Sequence, residues 1–87
     1  MTDTRFVCQT YRRAERGKGK SMQHVLIQSA TVECKTAMEA EARAHKMWAG
    51  GSHAGVDAFS IEIDIDLGDY SDPEFILRLG DVPSSEE

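Results

Sequence analysis

The stretch Phe59-Ser60-Ile61-Glu62-Ile63-Asp64-Ile65-Asp66 alternates apolar and polar residues without a break. A repeat of two belongs to a β-strand, whose successive side chains point to opposite sides of a sheet. The expectation is a half-buried strand, with Phe59, Ile61, Ile63 and Ile65 facing a helix and Glu62, Asp64 and Asp66 facing water or a basic partner. The residues upstream supply that helix. Thr36 followed three positions later by Glu39 is a capping box, which predicts a helix starting at Ala37. Ala40, Ala44, Met47 and Trp48 then fall on one stripe, while Glu39, Arg43 and Lys46 fall mainly toward solvent. Alanine on the contact stripe lets a helix lie close to a sheet, and Trp48 is expected to supply the largest single burial. Gly50 and Gly51 end the helix, because glycine tolerates the left-handed conformation common just past a C-terminus.

Working outward, Phe6-Val7-Cys8-Gln9-Thr10-Tyr11 is rich in β-favouring residues and is followed by a break at Gly17 and Gly19. His24 to Val32 carries Val25, Leu26, Ile27, Thr31 and Val32 with too little helical periodicity to be a helix. The two segments are expected to pair as an antiparallel hairpin with a basic, polar loop. Leu67 to Pro73 has turn chemistry, and Glu74 to Leu79 resumes as a last strand with Phe75, Leu77 and Leu79 on one face. The predicted class is α+β, two-layered, with a four-stranded, mainly antiparallel sheet and one helix on one face, in the order ββαββ. A β-grasp arrangement, with the first and last strands parallel, fits the same order. Residues 1–83 are expected to form a single domain, with 84–87 as a tail that has nothing to pack against.

A chain of 87 residues leaves room for one core. A domain this small buries only a little over ~60% of its unfolded surface, so self-association would help it. No apolar run approaches the ~20 residues that cross a bilayer, and Met1 to Arg5 lacks the apolar stretch of an export signal, which predicts a cytoplasmic protein with no membrane partner. Cys8 and Cys34 are then expected to be reduced, partly buried thiols.

The net charge of −5 conceals an asymmetry: residues 1–53 carry +4 and residues 54–87 carry −9. The interaction candidates lie in both parts. Arg12, Arg13, Arg16, Lys18 and Lys20 make a basic arm beside Tyr11, which suits nucleic-acid phosphates with the ring stacked on a base, or an acidic surface of this chain or a second copy. Glu62, Asp64 and Asp66 make the acidic counterpart. They do not suit calcium, because an EF-hand loop needs glycine sixth and glutamate twelfth, and counting from Glu62 gives Leu67 and Pro73. Alternate carboxylates on a strand stand roughly 6.5 to 7 Å apart and cannot share one ion.

No catalytic constellation, cofactor motif or metal-ligand spacing is legible. His24, His45 and His53 are too far apart for a local metal pair, and the loop from Gly50 to Gly55 follows a helix C-terminus, where a phosphate finds carbonyls and not amides. Through Val56-Asp57-Ala58-Phe59-Ser60, Gly68-Asp69-Tyr70 and Leu79-Gly80-Asp81-Val82-Pro83, the chain resembles a group of small bacterial proteins of ββαββ layout. The resemblance implies a compact unit of that order and lends no activity, cofactor or site residue. The functional expectation is a non-enzymatic protein-interaction domain, self-associating through the sheet or binding another protein, with nucleic-acid binding through Arg12 to Lys20 as the alternative.

Overall fold

A computed structural model describes residues 1–17, 19 and 23–83, and the statements below concern those residues. The elements run β1 (Thr2–Arg16), β2 (Gln23–Cys34), α1 (Ala37–Ala49), β3 (Gly55–Asp64), β4 (Asp69–Tyr70) and β5 (Glu74–Gly80). The class and order are α+β and ββαββ, with β4 as a two-residue addition where a turn was expected. Every pairing is antiparallel: β1 lies between β2 and β3, and β4 and β5 share the far edge of β3. The β-grasp alternative is thereby ruled out, since β5 pairs with β3 and not with β1. The predicted tail, 84–87, lies outside the described residues.

The helix starts where the cap places it. Thr36 Oγ1 accepts the Glu39 backbone N–H at 3.1 Å. The reciprocal half of the box is replaced by a loose pair between Glu39 and Arg43 at 3.9 Å. At the other end Gly51, at φ 74°, donates its N–H to the Trp48 carbonyl at 3.1 Å.

Ala40 and Ala44 are fully buried, as the stripe predicts, but the sheet face they meet is not the predicted one. The core contains Cys8, Cys34, Ala40, Ala44, Val56 and Ala58, with Phe6, Val32, Met47, Ile76 and Leu77 packed around it. Val56 and Ala58 alternate with Asp57 and Phe59, so Phe59, Ile61 and Ile63 face away from the helix. The physical reason is size. An alanine stripe brings the helix backbone close to the sheet, where only small residues such as Cys8 and Ala58 leave room. Ile65 lies beyond the end of β3 and is 55% exposed. Trp48 is 37% exposed, not the anchor of the core; its ring lies over Gly80, where an added Cβ would come within 2.3 Å of it.

Two irregularities change which residues share a face. A shift between Ala58 and Phe59 leaves Ile76 as an extra residue in β5, so Leu77 stays opposite Ala58 while Phe75 moves opposite Phe59. Phe75 therefore does not share a face with Leu77 and Leu79. The second shift lies between Gln9 and Tyr11 in the β1–β2 ladder. Two buried polar residues pin it: Thr10 Oγ1 accepts the Ala30 N–H at 2.8 Å, and Gln9 Nε2 donates to the Ala30 carbonyl at 3.0 Å.

The core thiols are unbridged. Cys8 Sγ lies 4.0 Å from Cys34 Sγ and donates to the Ala40 carbonyl at 3.0 Å. Burial, and then the neighbouring Cys34, push the Cys8 thiol from 9.0 up to about 12. Tyr11 is likewise held at about 12 instead of 10.0, by burial and then by Asp57. Both groups lose their protons more easily in the unfolded chain, so the stability they contribute is complete below about pH 9 and drains away between there and about pH 12. Urea midpoints are expected to fall steeply across that window. Tyr11→Phe should flatten the segment above pH 10 by on the order of 2 kcal/mol. Equal slopes in the two proteins would contradict this account.

Candidate interaction surfaces

The helix covers one side of the sheet. Among the described elements, α1 packs against β1, β2, β3 and β5, and no helix or strand lies on the opposite face. Residues 81–83 lie over its Tyr11–Gly55 end, where Arg78 donates to the Pro83 carbonyl. On that open face, alternation along β1 and β3 places Val7, Phe59, Ile61 and Ile63, joined by Phe75 from β5. All five are half-buried, sheltered by one another. Phe59 and Phe75 meet edge to face with ring centres 6.0 Å apart. Tyr70, opposite Ile63, extends this row and is 68% exposed.

A buried polar group closes one end of the row. Asp57 is fully buried on the open face, where Arg78 grips it with two hydrogen bonds, Nε to Oδ1 at 2.8 Å and Nη2 to Oδ2 at 3.1 Å. The hydrogen bond to Asp57 raises the Arg78 pKa further still. The same guanidinium sits 3.9 Å above the centre of the Phe75 ring and donates to the Pro83 carbonyl. Sequence reading missed this cluster. Its available signal was one acid inside Val56–Phe59 and one base inside Phe75–Leu79, the only Lys or Arg after residue 53.

No family model, curated protein or solved structure matches this chain. Its surfaces are therefore read from their own chemistry.

Arg12, Arg13 and Arg16 lie on a ribbon and not in a loop. β1 continues to Arg16, where Arg12 pairs with Ile27, Arg13 with Leu26, Ala14 with Val25 and Arg16 with Gln23, all past the point where β3 stops opposite Tyr11. The expected loop shrinks because the β-favouring run Val25-Leu26-Ile27 gives the arginine segment a ladder partner. Arg12 and Arg16 are exposed, on one face of the ribbon, with no ion pair among the described residues. Arg13, on the other face, is paired with Asp81. Lys18 and Lys20 lie outside the described residues. Tyr11 is only 7% exposed, so the expected stacking ring is inside the protein.

The acidic candidates occupy the opposite end. Glu62 is exposed on the same face as Ala58. Asp64 is committed to its own turn, accepting the N–H groups of Asp66 at 3.1 Å and Leu67 at 3.2 Å. Asp66 pairs with the N-terminal amine of Met1. A shallow depression of about 300 Å³ is lined by Thr2, Glu62, Asp64, Asp69, Tyr70 and Ser71. Among the described residues, no three His, Cys, Asp or Glu side chains converge in a way that would hold a metal ion. No helix is long and apolar enough to cross a membrane.

Proposed function

We propose that this chain is a non-enzymatic interaction domain whose partner is a second copy of itself, docked on the uncovered face of the sheet. The observation that carries this reading is the row Val7, Phe59, Ile61, Ile63 and Phe75, which no described element covers. The thinness of the core supports it. The largest fully buried side chains are Val56, Thr10, Asp57 and Cys8, while Phe59, Phe75, Ile61 and Ile63 are left on the open side. Pressing two such faces together finishes burying them at about 25 cal/mol for each Å² removed from water. The proposed compartment is the cytoplasm, on the two free buried cysteines.

Nucleic-acid binding through Arg12 and Arg16 is the weaker reading. The net charge of −5 opposes a polyanion, Glu15 and the Arg13–Asp81 pair dilute the basic ribbon, and Tyr11 is not free to stack.

Sedimentation equilibrium at micromolar to millimolar protein tests the proposal. The wild type is expected as a dimer and Ile61→Glu as a folded monomer, since the row is half-exposed and a charge there is tolerated only with water above it. A wild type that stays monomeric throughout the range would sink the reading.

A further inference from the structure

The open face is bounded at both ends. At one end stand residues 81–83, over Tyr11 and Gly55, held by the Arg13–Asp81 pair and by the hydrogen bond from Arg78 to the Pro83 carbonyl. At the other the sheet runs out at Met1 and Ile65, where the Ile65 N–H donates to the Met1 carbonyl at 2.8 Å. Between these limits the register sets four rungs on the open side: Met1 with Ile65, Asp3 with Ile63 and Tyr70, Arg5 with Ile61, and Val7 with Phe59 and Phe75. Exposure is uneven along them. Met1, Ile65 and Tyr70 are 80%, 55% and 68% exposed, whereas Val7, Ile61 and Phe59 shelter one another.

The charges of this stretch gather around its middle. Arg5 Nε donates to Asp3 Oδ2 at 2.7 Å, and Arg5 Nη1 donates to Glu33 Oε1 on β2 at 3.1 Å. The Arg5 and Asp3 side chains both remain 43% exposed, so each has surface left for a further contact.

We infer that the second copy lies with its strands reversed, about a two-fold axis crossing between the Asp3 and Arg5 rungs, so that the Val7–Phe59 end of each copy meets the Met1–Ile65 end of the other. This rests on the face-to-face self-association proposed above and specifies its geometry. Reversal about the middle of the four rungs lays Ile61 on Ile63 of the second copy and places the most exposed apolar residues over the half-buried ones. It also sets Arg5 of each copy against Asp3 of the other, an alternating quartet of charges. An axis on either rung itself would stack Arg5 on Arg5 or Asp3 on Asp3, and like charges so juxtaposed cost affinity. Residues 81–83 favour the same choice. With strands reversed, each of these segments lies beyond the other copy's Met1–Ile65 end; with strands running the same way, the two would meet in a space about 10 Å deep and hold the sheets apart. The reversed contact is isologous and closes at two chains.

Charge exchange tests the geometry, with sedimentation reading the association and circular dichroism confirming the fold of each variant. Asp3→Arg leaves two cations from each copy at the middle of the dimer and Arg5→Asp leaves two anions, so each alone is expected to raise the dissociation constant at least about tenfold. Mixed in equal amounts, the two variants should form a heterodimer, because every arginine then faces an aspartate. A second test needs no charge. Val7→Cys mixed with Ile65→Cys should be joined by a short bis-maleimide, and neither variant to itself, since the native Cys8 and Cys34 are buried. Ile65→Cys joined to itself would establish strands running the same way and overturn the geometry. So would charge variants that dimerise as the wild type does, or that form no mixed dimer, in a protein that Ile61→Glu still makes monomeric; self-association on this face would then survive without the proposed orientation. A wild type monomeric at millimolar protein, or a dimer indifferent to Ile61→Glu, overturns both.

Discussion

Replacing Arg78 with leucine is expected to cost about 3 to 5 kcal/mol, the range for removing one partner of a buried ion pair. Asp57 has no exposed surface, and its two oxygens are held by the two arms of this one guanidinium. No other Lys or Arg follows residue 53, so the carboxylate has no replacement nearby in sequence. Arg78 also covers Phe75 and holds the Pro83 carbonyl, and both contacts go with it. Domains of this size are stable by about 5 to 10 kcal/mol, so the loss takes up much of the total. Arg78→Lys should recover part of it, since an ammonium can reach one oxygen but cannot reproduce the fork. Combining Arg78→Leu with Asp57→Leu should recover more, because the penalty lies in the orphaned carboxylate and not in the missing bond. Urea unfolding followed by Trp48 fluorescence measures all three. A double variant no more stable than Arg78→Leu alone would show that the cost arises from packing instead of charge.

The element order was legible in the sequence because each segment carries a local signal: the Thr36 cap, the Ala40–Ala44 stripe, the alternation after Phe59. What remained hidden was relational. A period of two shows that the faces of β3 differ, but both carry apolar residues near Val56–Phe59, and only the close approach of the alanine helix selects Val56 and Ala58 over Phe59 and Ile61. The extra residue at Ile76 and the irregularity opposite Thr10 are equally silent in a pattern read one strand at a time. Each re-aims the residues next to it, which is why Phe75 changed sides.

The candidate surfaces divide the same way. The sign of each charged segment could be read directly, and the structure places the two at opposite ends of β1. Their individual roles could not. Asp64 and Asp66 are engaged in the turn and at the N-terminus, Arg13 is engaged by Asp81, and these attachments depend on neighbours more than ten residues away or on the exact course of a turn. Among the described candidates, Arg12, Arg16 and Glu62 are exposed and take part in none of these attachments.

Gly55→Ala is expected to be the most damaging single methyl group in the protein. Gly55 is buried at the start of β3, between Tyr11 and Gly80, and a Cβ there would lie 1.9 Å from the Asp81 carbonyl oxygen and 2.9 Å from Val82 Cγ1. The obstacle is backbone, so no side-chain rotation relieves it. Moving that segment away breaks the 2.9 Å bond from the Asp81 N–H to the Ala54 carbonyl and loosens the Arg13–Asp81 pair, so the base of the ribbon and the end of β5 come free together. The expected loss is about 3 kcal/mol or more, at the upper end for overpacking. For a domain of this length that lowers the melting temperature by at least ~12 °C. Gly68→Ala is the matched comparison: at φ 71°, with nothing within 4 Å of its added Cβ, it bears only a conformational cost of about 1 to 2 kcal/mol. If the two variants melted within a few degrees of each other, the contact between Gly55 and the Asp81–Val82 segment would not be as tight as described, and the ribbon would not be anchored through it.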